Sequence, residues 1–165
     1  MAYRTIREEG DPILRKISKP VKTITPRMRE LAQDLLDTME KAEGAGLAAP
    51  QVGVLRRMVT VAFPEGPEVL INPEIVSEEG ETVEVEGCLS IPGFAGTVRR
   101  PETVRFRYLG LDGETKEKEA SEFFAKAVCH EIDHLNGILF RDLVIEEVDL
   151  TEETEEEEDV PSDEE

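Results

Sequence analysis

The 165-residue sequence lacks tryptophan, has only two histidines and two cysteines, and contains 5% aromatic residues. Two cysteines are too few for the disulfide framework that stabilises small secreted domains. No apolar run approaches the roughly 20 residues that span a bilayer, and the N-terminal segment MAYRTIREEG lacks the apolar core of a signal peptide. We therefore expect a cytoplasmic protein without a membrane partner, in which a cysteine is a ligand, a catalyst or part of the core.

Positive charge is also scarce, and the formal net charge is −19. Thirteen Asp or Glu residues and no Lys or Arg fall within residues 146–165, which leaves about −6 for the rest. No basic patch suggests a nucleic-acid partner, so we expect no direct nucleic-acid binding. So acidic a segment cannot bury enough apolar surface to fold. We predict one folded domain over residues 1–145 and a disordered acidic tail over residues 146–165.

The spacing of apolar residues predicts two helices with a strand-rich segment between them. The first helix is expected to end at Gly44, and the second to extend over residues 121–136. Residues 57–63 and 68–76 are expected to form strands interrupted by Pro and Gly. Asp112, followed by glycine, is typical of a hairpin turn.

Both histidines lie in the segment VCHEIDHLNG, as His130 and His134, with Glu131 after the first. Residues four apart share one face of a helix, so both imidazoles can bind one metal ion. Glu131 is rotated by roughly 100° and can reach a water that the metal acidifies, without itself binding the metal. The alternative is two partly exposed histidines on an amphipathic helix, because H-E-x-x-H alone is a moderate signal.

A catalytic metal site needs a third protein ligand, and the two cysteines are the candidates. Cys129 is adjacent to His130 and points about 100° away on the helix, so we expect it to pack in the core. Cys88 lies in the segment EGCLS, where Gly87 lets the backbone approach closely. A lone cysteine is usually a small buried hydrophobe, but beside a two-histidine helix the ligand interpretation is favoured.

The segment GAGLAAPQVG, residues 44–53, does not match a dinucleotide- or phosphate-binding loop, because it lacks the preceding strand, the third spaced glycine and the lysine. A helix end followed by a packing turn accounts for its glycines but not for Gln51. An amide at this position could donate a hydrogen bond to an oxygen in the site. Hydrolysis of an amide needs such donors for the developing oxyanion.

The segments GAGLAAPQ, EGCLS and HEIDH together resemble the three motifs of the peptide deformylase family, in the same order and with similar spacing. GDPILR and LNGILF resemble the flanking sequence, so the likeness spans roughly residues 6–142. The resemblance implies an α+β fold in which a central helix carrying the histidines is surrounded by mostly antiparallel strands. It also implies removal of the N-formyl group from the N-formylmethionine of nascent polypeptides, with release of formate, in a bacterium or bacterial-like organelle.

The resemblance further implies roles for the site residues. Glu131 is the acid/base, and the Gln51 side chain and the Leu89 backbone N–H are the oxyanion donors. One divalent metal ion is held by a mixed set of sulfur and nitrogen ligands, namely Cys88, His130 and His134. The ion is expected to be Fe(II), and Zn, Ni or Co can substitute because this ligand set suits several metals.

The family binds its N-formylmethionyl peptide in an extended form, as an added strand. The backbone partners are expected to be glycine-flanked segments: Gly44, Ala45, Gly46 and Gly87. Ala45, Phe124 and Ala127 are expected to form an apolar wall for the methionine side chain. Asp133 could brace the helix through Arg99 or Arg100, with simple solvation as the alternative.

Two features depart from the family, and two other functions compete with it. Many members have Gln at the position of Cys129, and many end in a helix where this chain has its acidic run. The first competing function is an H-E-x-x-H peptidase acting on internal peptide bonds, which would usually take Glu or His as third ligand. The second is a metal-binding or acidic interaction protein without turnover, against which Glu131 and Gln51 argue.

Overall fold

The structure is a computed structural model, and it describes residues 2–149. As predicted, the described chain has an α+β fold, with paired strands that run antiparallel. Its helices and strands follow in the order α1 (Pro26–Lys41), β1 (Gly46–Ala48), β2 (Met58–Phe63), β3 (Gly66–Glu79), β4 (Thr82–Cys88), β5 (Ile91–Arg100), β6 (Thr103–Leu109), β7 (Thr115–Ser121), α2 (Phe123–Leu135) and β8 (Glu146–Val148). Short 3-10 helices lie at Pro12–Arg15, Ala49–Val52 and Phe140–Leu143.

The strands form two separate sheets. The larger has the order β1-β2-β3-β6-β7, and the smaller has the order β4-β5-β8. β1 is therefore an edge strand of the larger sheet, and β4 is an edge strand of the smaller sheet. Both edges lie beside α2, and the space between them is the cleft described below.

The larger sheet is covered by a helix on each face. Alternate residues of β2 contribute to two different cores: Val59 and Val61 pack with α2, and Met58 packs with α1. This two-sided burial explains why β2 has the nearly continuous apolar sequence MVTVAF. α2 is thus the central helix, as predicted, with apolar residues around most of its circumference.

The first helix ends differently from the prediction. It stops at Lys41, and the residue with left-handed backbone is Glu43, at φ 56°, rather than Gly44. The Gly44 N–H donates to the Met39 carbonyl over 3.0 Å. A Cβ at Gly44 would come within 2.8 Å of the Leu89 side chain. Gly44 therefore permits close contact with the EGCLS segment, and it is not the left-handed residue.

The predicted break in the β3 region is also replaced by another feature. β3 continues through Pro73, and its pairing with β6 shifts register between Ile71 and Glu74. Asn72 has φ 51°, and its side-chain amide bonds both the N–H and the carbonyl of Val21, each over 2.9 Å. The proline thus occupies a bulge, where its missing N–H costs no ladder hydrogen bond.

Strand pairing in the described chain extends further toward the C-terminus than predicted. Glu146–Val148 form β8, which pairs with Ala95, Gly96 and Thr97 of β5. These three residues were predicted to belong to a disordered tail, but they complete the smaller sheet. The disorder predicted for the rest of the tail, from residue 150 onward, concerns residues outside the described chain.

Candidate metal centre and substrate cleft

A cleft of about 350 Å³ lies between β1, β4 and α2. Ten of the twelve site residues predicted from the sequence line it: Gly44, Ala45, Gly46, Gln51, Gly87, Cys88, Leu89, Ala127, His130 and Glu131. The other two are His134, which is fully buried, and Phe124, which packs in the core. The fold therefore brings together three sequence segments that lie far apart along the chain.

Cys88, His130 and His134 place their ligand atoms within 4.8 Å of one another. The Cys88 Sγ is 3.4 Å from the His134 Nε2. For metal–sulfur and metal–nitrogen distances of about 2.3 and 2.0 Å, tetrahedral geometry separates two such ligand atoms by roughly 3.5 Å. Cys88, at the end of β4, thus lies where it can share one metal ion with the two histidines of α2.

Glu86 holds the ring of His130 in place, and this carboxylate was not among the predicted site residues. His130 Nδ1 is 2.9 Å from Glu86 Oε1. Because a carboxylate only accepts, the hydrogen belongs on Nδ1, and Nε2 keeps its lone pair for a metal. Burial alone would raise the pKa of Glu86, but hydrogen bonds from His130 and Arg100 lower it to about 2.

Arg100 connects Glu86 to a second residue of α2, Asp133. Its guanidinium donates to both oxygens of Glu86, over 2.7 and 3.0 Å, and to Asp133 over 2.7 Å. Asp133 thus pairs with Arg100, one of the two partners considered from the sequence. Arg99 instead lies 3.5 Å from Glu81 on the surface. β4, β5 and α2 are therefore joined by charged hydrogen bonds directly beside the proposed ligands.

The charge distribution in the cluster suits a cation. Burial alone would lower the pKa of His130, but hydrogen bonds with Cys88 and Glu86 raise it to about 10. Burial and the nearby His130 lower the pKa of His134 well below its usual value. The surroundings therefore favour positive charge at His130, where a metal ion in place of the second ring proton would supply it. Two imidazoles and a thiolate facing such a point fit a divalent metal ion.

Glu131 is 5% exposed, and burial raises its pKa to about 7. Among residues 2–149, no protein group bonds to Glu131 Oε1. A buried carboxylate oxygen without a partner is unusual and implies a water or a ligand atom at that point. Gly46 makes room for this carboxylate, because a Cβ at that glycine would lie 2.6 Å from Glu131 Oε2.

Gln51 is 1% exposed, and its amide has a fixed orientation. Its Oε1 accepts from the Ala48 N–H over 2.9 Å, and its Nε2 donates to Ser90 Oγ over 3.0 Å. The same Nε2 lies 3.7 Å from Cys88 Sγ. The amino group therefore faces Cys88 in the ligand cluster.

The predicted wall of the methionine pocket needs one replacement. Phe124 packs against Phe63 in the core, with ring centroids 5.9 Å apart, and does not line the cleft. Phe123 lines it instead and is 45% exposed. One face of α2 carries positions 123, 126, 127 and 130, because the last three follow position 123 by three, four and seven residues. This periodicity, counted back from His130, would have selected Phe123 from the sequence.

Known proteins resemble this chain over most of its length. The family model described as "Polypeptide deformylase" matches residues 3–149. The chain belongs to this family. A peptide deformylase of Acetivibrio thermocellus is 55% identical over 152 residues, which cover 92% of this chain and 89% of that protein.

Solved structures of deformylases share the fold. A peptide deformylase from Legionella pneumophila has a TM-score of 0.84 and 43% identity, covering 87% of this chain and 86% of that one. A class I type b peptide deformylase from Acinetobacter baumannii, crystallised with Met-Ala-Ser bound, has a TM-score of 0.82 and 36% identity. It covers 87% of this chain and 99% of that one.

The chain is therefore an enzyme of the peptide deformylase class, a group of hydrolases that remove the N-formyl group from nascent peptides. This family assignment favours deformylation over the two competing functions, the internal peptidase and the binding protein without turnover. Within residues 2–149, no helix is both long enough and apolar enough to cross a membrane.

Proposed function

We propose that this chain uses one divalent metal ion to hydrolyse the formyl amide of N-formylmethionyl peptides, releasing formate and a peptide with a free amino terminus. The observation that carries the proposal is the meeting of Cys88, His130 and His134 with the partner-free carboxylate of Glu131 in one cleft. Cys88, His130 and His134 would hold the metal, with Fe(II) as our first choice and Zn, Ni or Co as substitutes. When bound, such an ion supplies Lewis acidity and lowers the pKa of water.

Glu131 is proposed to move the proton. With its pKa raised to about 7, the carboxyl group can accept a proton from water and return it to the amine that leaves. The carboxylate packs closely on Gly46, because a Cβ there would lie 2.6 Å from Oε2, and Oε1 is the buried oxygen to which no protein group within residues 2–149 bonds. Burial thus supplies both the basicity and the position that the acid/base role requires.

Two donors are proposed to stabilise the negative oxygen that forms from the formyl carbonyl. Gln51 Nε2 has two hydrogens, and Ser90 takes only one of them. The second is directed at Cys88 Sγ, 3.7 Å away, and in this role it would donate to the oxyanion in place of the sulfur. The Leu89 backbone N–H follows Cys88 directly and belongs to a residue that lines the same cleft. Preorganised donors of this kind contribute on the order of 10²–10³-fold to turnover.

The peptide is proposed to bind as an extra strand between β1 and β4. Each is an edge strand, and the two belong to different sheets, so a peptide between them would find backbone groups on both sides. Gly44, Ala45 and Gly46 lie on one side and Gly87 on the other. Phe123 and Ala127 of α2 provide apolar contact for the methionine side chain. The deformylase of Acinetobacter baumannii has been crystallised with Met-Ala-Ser, the peptide that deformylation of formyl-Met-Ala-Ser leaves.

The test is formate release from formyl-Met-Ala-Ser, measured together with the metal content of the same sample. We expect turnover in proportion to bound metal, at one ion per chain, and its loss on treatment with a chelator. An internally quenched casein peptide without a formyl group serves as the control and should remain intact. Hydrolysis of that peptide, or full formate release by metal-free protein, would contradict the proposal.

A further inference from the structure

One lysine of the cleft has no role in the chemistry described above. Lys126 lies one turn before His130 on α2 and is the one Lys or Arg that lines the cleft in the described part of the chain. Its Nζ donates to the Val85 carbonyl over 2.9 Å and lies 5.0 Å from the centre of the Phe123 ring. The lysine thus spans from α2 to the exposed edge of β4.

Lys126 has donors to spare. An ammonium group carries three N–H donors, and Val85 accepts one of them. Within residues 2–149, no Asp or Glu forms an ion pair with Lys126, whereas Arg100 is already paired with Glu86 and Asp133. The other charged residues of the cleft are Glu86, Glu131 and His130. An unpaired cation at the mouth of a cleft in so acidic a protein is available to a ligand of opposite charge.

The position of Val85 indicates which part of a peptide would meet this cation. Val85 precedes Cys88 by three residues of β4, and an extended strand rises about 3.3 Å per residue. A group beside Val85 is therefore roughly 10 Å along β4 from Cys88, the proposed metal ligand at the end of the strand. In an extended peptide with its formyl group at Cys88, that distance corresponds to the second or third amino acid.

We propose that Lys126 is a specificity-determining residue that favours peptides with an acidic side chain at the second or third position, counting the formylmethionine as the first. This inference rests on the proposed function, because it assumes that the peptide lies along β4 with its formyl group at the metal cluster. A carboxylate at either position would complete the ion pair that Lys126 lacks within the described chain.

The test compares kcat/KM for two pairs of C-terminally amidated peptides, in which the side chain carries the only carboxylate. One pair is formyl-Met-Asp-Ser and formyl-Met-Asn-Ser, and the other is formyl-Met-Ala-Asp and formyl-Met-Ala-Asn. A partly exposed ion pair is expected to change the Asp/Asn ratio by roughly two- to fivefold at one of the positions. The net negative charge of the protein acts on every acidic peptide, with or without Lys126. The quantity that tests the proposal is therefore the decrease in the Asp/Asn ratio from wild type to Lys126→Met.

Three controls separate the charge of Lys126 from its hydrogen bond to Val85. Lys126→Arg should keep the ratio, and Lys116→Met, which removes a surface lysine paired with Asp112, should leave it unchanged. The Asp/Asn ratio should also decrease when the salt concentration is raised toward about 1 M, where the Debye length is only about 3 Å. A purely structural role would slow Asp and Asn peptides equally.

The outcomes are distinguishable. If all formyl peptides are hydrolysed but the Asp/Asn ratio is the same in wild type and Lys126→Met, the specificity proposal is wrong and the deformylase function stands. If no formyl peptide is hydrolysed, the proposed function itself fails. A ratio that falls in Lys126→Met and is retained in Lys126→Arg supports the assignment.

Discussion

Replacing Glu86 by glutamine tests whether the site depends on the charged network behind it. Glu86 Oε1 accepts from His130 and from one Arg100 nitrogen, and Oε2 accepts from the Arg100 Nε over 2.7 Å. If the oxygen of the glutamine amide takes the position of Oε1, the amide nitrogen takes the position of Oε2 and faces Arg100 Nε. Both of these nitrogens are donors, so the hydrogen bond between them is lost. The buried guanidinium then loses its main counter-charge, and Asp133 remains its single acidic partner in the described chain.

The expected cost follows from this burial. The Glu86 side chain is 3% exposed and that of Arg100 is 6% exposed. Removing one partner of such a pair typically costs about 3–5 kcal/mol of stability. Loss of a carboxylate that orients a metal-binding histidine typically lowers metal affinity by roughly 10–100-fold. We therefore expect Glu86→Gln to be about 3 kcal/mol less stable and to bind zinc at least about tenfold more weakly.

Urea unfolding of chelator-treated protein measures the stability, and competition with a chromophoric chelator measures the zinc affinity. Glu74→Gln is the matched control, because Glu74 pairs with Arg107 on the surface at 61% side-chain exposure. That variant should lose no more than about 1 kcal/mol and should bind zinc normally. The reasoning is refuted if Glu86→Gln stays within about 1 kcal/mol and threefold of wild type in the two assays.

The other predictions concern the cleft and the end of the chain. Glu131→Gln should retain zinc but lose about 10²–10⁴-fold in kcat on formyl-Met-Ala-Ser, and a loss below about tenfold would contradict the acid/base role. Gly46→Ala places a Cβ 2.6 Å from Glu131 Oε2, so its kcat should fall by about tenfold or more with an unchanged circular dichroism spectrum, and a wild-type rate would count against it. After metal removal, iodoacetamide should modify Cys88 but not Cys129, whose burial raises its pKa to about 12, and mass spectrometry of the peptides would show any exception. A chain ending at Asp149 keeps β8 and should deformylate the short peptide within about threefold of wild type, unless residues 150–165 contribute to the site.

Local sequence was sufficient for features that depend on neighbours along the chain. The hairpin at Asp112 joins β6 and β7 as predicted, because the following glycine adopts φ 85°. The spacing of His130 and His134 placed both rings on one face of α2. By contrast, the bulge at Asn72 depends on Val21, which is 51 residues away. Pairing of that kind leaves no local pattern, so the proline beside it was interpreted as a break.

The role of Glu86 was missed for a related reason. It lies in the segment TVEVEG, where valines alternate with glutamates, and such a pattern normally means that the valines face the core. In the structure Val83 and Val85 are exposed, and Glu86 is buried. This inversion occurs because β4 turns its glutamate toward α2 and Arg100. A charge can be buried there only because Arg100 and His130 both bond to it, and those partners lie 14 and 44 residues further along the chain.

The placement of the site at the meeting of two sheets explains how one short helix can organise it. β4 contributes Cys88, β1 contributes the backbone around Gly46, and α2 contributes both histidines and Glu131. These strands do not pair with each other, so the width of the cleft depends on what connects each of them to α2. The Glu86–Arg100–Asp133 network joins the smaller sheet to α2, and the packing of α2 on β1 and β2 joins the larger one. A substrate strand would then pair with edges whose separation is already set, and loosening the network should weaken peptide binding as well as metal binding.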